Sequence, residues 1–390
     1  MTMRIAAVDC FIVTVPRDTP YLGPLAAGER INSRGYIVRQ GNGTIYPTVD
    51  RSIVVRITDT EGRVGWGETY GICAPRATCE IINDLLAPVL IGSDVRDPAS
   101  TWDLLYGLMR VRNCSTGFHI DALAALDIAL WDLSARRAGQ PVHELIGTRL
   151  HDAIPSYLSG LPAATLAERV ALARQWQDRG MTAFKFAAVV SHEGVVAEMA
   201  ALRDALGPEA DLLIDLHWKY DAAQARELIG QLATFAPGFV EAPLKPEDMA
   251  GLAALAKESP IPVAAGEEWY TGYEAANRLA FGPVAYLQPE MGHTGITQFL
   301  RISEIAASHD IAIAPHATIG TGIFLAASLH ASATIAGLWK HEWQHSVFER
   351  NLALLDTDMG HGPAGYRLPT ATGLGVEPGD AFWAAAERIA

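Results

Sequence analysis

Between residues 153 and 349 short β-rich runs alternate with stretches of helical periodicity, and this repeat constrains the fold more than any other feature of the chain. The runs fall near 153–158, 182–187, 211–216, 237–241, 262–266, 284–288, 311–315 and 345–349, with amphipathic helices such as 166–178 and 222–234 between them. Strands linked through helices run parallel, because a parallel pair needs a crossover of a dozen or more residues. Eight such strands close a barrel, and these barrels carry their chemistry at the carboxyl ends of the strands. The expected fold class is α/β, a modified (β/α) barrel of the TIM type over 131–355.

The chain before it reads differently. Residues 3–15 and 51–58 are β-rich, Asp59–Gly62 is a turn, Arg63-Val-Gly-Trp-Gly-Glu-Thr69 continues as the next antiparallel strand, and 78–112 is largely helical. From Ile120 to Ala138 apolar residues recur at helical spacing through Leu123, Ala124, Ile128 and Trp131, until Gly139 and Pro141 stop the helix. Residues 1–130 therefore form an α+β module. Its polar stretch 16–50 is a long loop carrying Arg17, Tyr21, Arg30, Arg34, Tyr36, Arg39 and Tyr46, a mix suited to grasping a polar anion. A loop of this length is either functional or disordered, and the residues alone leave both open.

Composition excludes several classes of function. A formal charge of −14 without clustered Lys and Arg argues against nucleic acid as a partner. No run approaches the roughly 20 apolar residues that cross a bilayer, so no membrane association is expected. The N-terminal run is interrupted by Asp9 and reads as a strand, not as a signal peptide. Cys10, Cys73, Cys79 and Cys114 show neither zinc spacing nor a dense disulfide framework, which fits a reducing cytoplasm. A soluble homo-oligomer acting on a small molecule is the expectation.

Three of the β-rich runs end on a carboxylate: Leu212-Leu-Ile-Asp215, Phe239-Val-Glu241 and Val263-Ala-Ala-Gly-Glu267, each 26 residues from the next. On adjacent strands about 4.8 Å apart their oxygens can converge on one ion. One acid at a strand end is ordinary as a helix cap or a solvated group. Three in register repel one another unless a cation neutralises them, and hard oxygen donors without cysteine favour Mg2+ over zinc.

The next two runs end Gln288-Pro-Glu290 and Ala314-Pro-His316, again 26 residues apart, which sets a carboxylate beside an imidazole. A carboxylate accepting the ring N–H fixes the tautomer and raises the basicity of the other nitrogen, though a purely structural pair would look the same. His217 shares a strand face with Asp215 and can reach the same cavity, or serve only as a cap. Lys185, alone in the apolar run Ala183-Phe-Lys-Phe-Ala187, is costly unless it faces a polar interior or an anion.

The order of these motifs, together with Gly65-Trp-Gly-Glu68, the helix Ala125–Leu133 and Gly373-Leu-Gly-Val-Glu377, resembles the enolase superfamily over nearly the whole chain, specifically its mandelate racemase-like branch with the acid-sugar dehydratases. The resemblance implies an α+β cap, a lid at 16–50, and a C-terminal segment, 356–390, that returns to the cap. It implies Asp215, Glu241 and Glu267 as ligands of Mg2+, His316 with Glu290 as the base, Lys185 on the substrate carboxylate, and Glu349 at the last strand as its acidic hydrogen-bond partner. A histidine at the place of His217 serves as the acid in dehydratases that act on sugar acids. Two departures stand out. The second lysine of the family's Lys-X-Lys is Ala187 here, which removes a base on the opposite face, and the usual Asp of the dyad is Glu290. The resemblance thus implies dehydration of an acid sugar, with lactone cycloisomerisation or epimerisation as the second enzymatic reading and a non-catalytic binding barrel as the third.

Overall fold

The computed structural model describes residues 4–390 except 22, 192, 318 and 319; residue 3 of the expected first strand and residue 22 of the expected lid lie outside the described residues. The cap contains β1 (Ile5–Val15), the short hairpin β2 (Tyr36–Val38) and β3 (Ile45–Pro47), β4 (Asp50–Asp59) and β5 (Val64–Tyr70). β1, β4 and β5 pair antiparallel, and the helix Phe118–Ala138 lies across β5. That approach requires glycine. A Cβ on Gly67 would lie 1.9 Å from the carbonyl oxygen of Ala125, and one on Gly65 would lie 2.2 Å from that of Ala129. Gly67→Ala should therefore cost at least the roughly 1–3 kcal/mol typical of overpacking, read as a lowered urea midpoint. A midpoint equal to the parent's would show that the sheet and helix can separate without penalty.

The barrel strands are β6 (Ser156–Ser159), β7 (Ala183–Ala187), β8 (Asp211–Asp215), β9 (Phe239–Glu241), β10 (Val263–Ala265), β11 (Tyr286–Leu287), β12 (Ala312–Ile313) and β13 (His341–Trp343). All pair parallel in order from β6 to β12, and β13 pairs with β6. Backbone bonds from Trp339 N to Ile313 O at 2.8 Å and from Glu342 N to Pro315 O at 3.0 Å join the segment leading into β13 to β12 and close the ring. The last strand is thus 341–343 and not 345–349; His345–Leu352 is a helix whose buried side is formed by Val347, Phe348 and Asn351.

Alternation along the strands sorts side chains between two cores. Tyr157, Ala183, Leu213, Phe239 and Ala264 fill the barrel interior, with Tyr286 and Trp339 against them, so the barrel is packed and not a pore. Outward residues such as Leu158, Phe184, Phe186 and Ile214 meet the surrounding helices. Two residues further along the inward rows stand Lys185 after Ala183, Asp215 after Leu213 and Glu241 after Phe239, while Glu290, four residues past Tyr286, bridges to His316, and Glu342 meets both Lys185 and His316.

After the barrel come β14 (Leu355–Thr357), the hairpin β15 (Gly360–Gly362) and β16 (Gly365–Arg367), β17 (Val376–Pro378) and β18 (Ala386–Ile389). β18 pairs antiparallel with β1, from Cys10 opposite Ile389 to Val13 opposite Ala386. Buried acids join cap to barrel. Asp132 accepts from Trp66 N at 2.8 Å and Leu374 N at 2.7 Å, and Asp127 accepts from Thr297 N at 2.8 Å. Among the described residues, no helix is long and apolar enough to cross a membrane.

Candidate active site

Three strand ends bring carboxylates together. Asp215 and Glu241 are direct neighbours across β8 and β9, and Glu267 follows β10. Glu241, Glu267 and His316 each offer a ligand atom, and these atoms lie within 4.8 Å of one another. Asp215 stands beside this group and is engaged by its neighbour: it accepts from His217 N at 2.8 Å, and its Oδ2 lies 2.7 Å from His217 Nδ1. His217 and Trp218 both sit at positive φ, 50° and 52°, in a turn that non-glycine residues adopt only under constraint.

His316 is held on both ring nitrogens. Nδ1 lies 2.7 Å from Glu290 Oε2, while Nε2 lies 3.0 Å from Glu267 Oε2 and 3.5 Å from Glu342 Oε2. Burial alone would discharge the imidazole, but Glu267, Glu342 and Glu290 outweigh it and hold the ring pKa well above its ordinary value. Glu290 shows the complementary effect. Burial opposes its charge, yet the hydrogen bond to His316 brings its carboxyl down to about 2. Its second oxygen accepts from Gly292 N at 2.8 Å, and the Tyr70 hydroxyl from the cap reaches the same carboxylate.

Lys185 Nζ lies 2.7 Å from Glu241 Oε2 and 3.1 Å from Glu342 Oε1. Burial works against the ammonium, and the two carboxylates more than compensate, so the lysine stays charged. Glu342, on β13, is the acid that joins Lys185 to His316. Glu349, expected in that position, is instead exposed on the helix His345–Leu352, one strand end and a turn away from the cavity. The misplacement follows from the strand boundary, since Lys340-His-Glu-Trp343 contains no aliphatic residue to signal a strand.

The long loop folds over this mouth. Arg39 is buried and donates to the carbonyls of Tyr21, Gly23 at 2.6 Å and Pro24 at 3.0 Å, and to Glu29 at 2.7 Å. Arg17 pairs with Asp50 at 2.6 Å, which also binds Arg350. Tyr36 accepts from Ala74 N at 3.0 Å, and Arg30 and Arg34 are exposed. The expected anion-grasping set is thus mostly spent on the loop's own architecture. Tyr21 and Tyr46, stacked at 5.3 Å, are the exception. Burial and the nearby charges of Glu267 and Asp215 push the Tyr46 hydroxyl up to about 12, which places this pair beside the carboxylates.

Sequence reading also passed over Glu68. It is fully buried, accepts from Phe324 N at 3.0 Å and from Thr321 N, and so caps the helix Ile323–Ser332 from another domain. A Cβ on Gly320 would meet its Oε1 at 2.6 Å, which explains the glycine there. Its place in Gly-Trp-Gly-Glu68 was visible, but nothing local showed that its partner would be the segment after His316.

The donor set suits a hard divalent cation. Carboxylates crowd one point, burial together with Glu241 and Asp215 drives the Glu267 carboxyl well above its ordinary pKa despite His316, and the buried Glu241 Oε1 has no hydrogen-bond partner. A barrel whose strand ends combine such carboxylates with a buried histidine–glutamate pair and a charged lysine is equipped for proton transfer beside a bound anion. Comparison with known proteins agrees. Residues 168–381 match the profile of the enolase C-terminal domain-like family, and 44–147 match that of the mandelate racemase / muconate lactonizing enzyme N-terminal domain. The chain belongs to this branch of the enolase superfamily. It is 32% identical to the D-galactonate dehydratase of Verminephrobacter eiseniae (strain EF01-2) over 365 residues, 87% of this chain and 92% of the relative. It is 28% identical to the D-galactarolactone cycloisomerase of Agrobacterium fabrum over 390 residues, 96% of each. The crystal structure of a member of the enolase superfamily from Agrobacterium tumefaciens superposes with a TM-score of 0.97 at 52% identity, covering 100% of both chains.

Proposed function

We propose that this enzyme dehydrates an acid sugar, an aldonate or aldarate, to a 2-keto-3-deoxy acid. The observation that carries the reading is the asymmetry of the cavity: His316 stands on one face with the Glu290 carboxylate behind it, while Ala187, which can neither give nor take a proton, stands at the end of β7 where a second lysine base would be. Racemisation or epimerisation at the α-carbon needs proton donors and acceptors on both faces, whereas elimination does not. Similarity to a D-galactonate dehydratase over most of the chain supports the same reading.

Asp215, Glu241 and Glu267 would hold Mg2+, which when bound supplies the positive charge that an enediolate requires. Lys185, kept charged by its two carboxylate neighbours, binds the substrate carboxylate. His316 takes the α-proton, with Glu290 stabilising the imidazolium. As the β-carbon–oxygen bond breaks, His217 donates a proton to the departing hydroxyl, and the enol product becomes the ketone. Tyr21 and Tyr46 cover the mouth and exclude water, which strengthens each of these interactions.

A panel of aldonic and aldaric acids should yield 2-keto product in the presence of magnesium. Chelation should reduce turnover to background, and added magnesium should restore it; activity indifferent to the chelator would remove the metal from the reaction. The second reading, cycloisomerisation of a sugar-acid lactone, draws on the full-length similarity to a galactarolactone cycloisomerase. Lactone conversion with solvent deuterium in the product, and no keto acid from the open-chain panel, would decide for it.

A further inference from the structure

The aim of His316 depends on Glu290, and Glu290 is held in turn from the cap. A glutamate carries its carboxylate on a chain of rotatable bonds, so a buried one keeps a single direction only where donors fix its oxygens. Glu290 is 1% exposed; its Oε2 lies 2.7 Å from His316 Nδ1, and its Oε1 accepts from Gly292 N at 2.8 Å. A further donor is the hydroxyl of Tyr70, the last residue of β5, so this one comes from the cap and not from the barrel.

The Tyr70 ring is fixed by its surroundings. It stacks on His293 at 4.1 Å with 8° between the planes and lies nearly parallel to Phe324 at 5.9 Å. Gly292 packs directly against it, since a Cβ there would lie 2.8 Å from two ring carbons. Thr69 donates its hydroxyl to the Gly292 carbonyl at 2.5 Å, and His293 Nδ1 lies 2.6 Å from the buried Asp121 on the cap helix Phe118–Ala138. The cap therefore grips residues 290–293 through both side chains and backbone. Burial and the nearby Glu290 carboxylate hold the Tyr70 hydroxyl well above its ordinary pKa, so it stays a donor. We propose that Tyr70 is a positioning residue: by donating to the Glu290 carboxylate it fixes the plane of the His316 ring and points Nε2 into the cavity, which makes the catalytic geometry depend on the docked cap. Its kinetic consequence rests on His316 being the base of the proposed reaction; the hydrogen-bonded geometry does not.

Proton NMR of the enzyme labelled in histidine, with magnesium present, reads that geometry without a substrate. The Nδ1 proton of His316, assigned by its loss in His316→Asn, should give a sharp downfield resonance that Tyr70→Phe shifts or broadens. The thermal melt should stay that of the parent, because phenylalanine keeps every ring contact. On an acid that the enzyme turns over, Tyr70→Phe should lower kcat by roughly tenfold to 100-fold with KM within about twofold, and should have no further effect in the Glu290→Gln background. A parent without the resonance, or a resonance that Tyr70→Phe leaves unchanged, would overturn the proposal. So would an equal loss of kcat in the Glu290→Gln background, since the hydroxyl would then act on the substrate itself. Failure of the reaction reading looks different: His316→Asn would remain active while the resonance still responded to Tyr70→Phe.

Discussion

His316→Asn should lower kcat by roughly 10³-fold or more and abolish exchange of the substrate α-proton with solvent. Asparagine approximates the ring's size and can still donate toward Glu290, but it cannot accept a proton. Both losses come together because proton removal precedes elimination. His217→Ala, by contrast, should lose elimination while retaining exchange, since the donor to the leaving hydroxyl acts only after the α-carbon has been deprotonated. Deuterium wash-in followed by mass spectrometry, with keto-acid formation assayed in the same samples, reads the two steps separately. Exchange at the parent rate in the His316→Asn protein would place the base elsewhere. The measurement belongs in saturating magnesium, because removing an imidazolium flanked by Glu267 and Glu290 leaves buried carboxylates without compensation, and lost stability would otherwise pass for lost chemistry.

How much of this was legible in the sequence depended on range. Asp215, Glu241 and Glu267 follow successive β-rich runs at 26-residue intervals and Glu290 and His316 repeat the same interval, so their convergence on one end of the barrel could be read from the chain. Lys185 was legible as a lone charge in an apolar run that had to face a polar interior or an anion. The orientation of Asp215 toward His217 could not be read, because it depends on a turn with two residues at positive φ that no local preference favours. The last strand was misplaced for a related reason. Its three residues, His341-Glu-Trp343, are held by pairing with β6 and with Pro315 and not by their own propensity, whereas Ser346-Val-Phe348 looks apolar enough to be a strand and is helical. Contacts from the cap, such as Glu68 on Thr321 and Phe324 or Tyr70 on Glu290, span more than 200 residues and leave no periodic trace.

Glu342→Gln is the substitution that tests this correction, and it should reduce kcat/KM by about 10²-fold or more while costing about 3 kcal/mol of stability. The side chain is 1% exposed and accepts from Ala317 N at 3.1 Å, a bond that an amide oxygen can keep. Its charge cannot be kept. Burial opposes the carboxylate, and Lys185 and His316 outweigh that penalty and hold its pKa below the ordinary value, so the anion is the native form. Neutralising it leaves the buried Lys185 dependent on Glu241 alone, and in the proposed mechanism Glu241 must also serve the metal. Lys185 would then bind the substrate carboxylate from a displaced position, raising KM, and His316 would lose one of the charges that set its basicity, lowering kcat. Glu349→Gln, on an exposed helix face, should leave both constants of the barrel reaction within about twofold, as surface substitutions generally do. The reverse pattern, with Glu349→Gln inactive and Glu342→Gln unaffected, would mean that the acid working with Lys185 comes from the helix after the last strand and that β13 only closes the barrel.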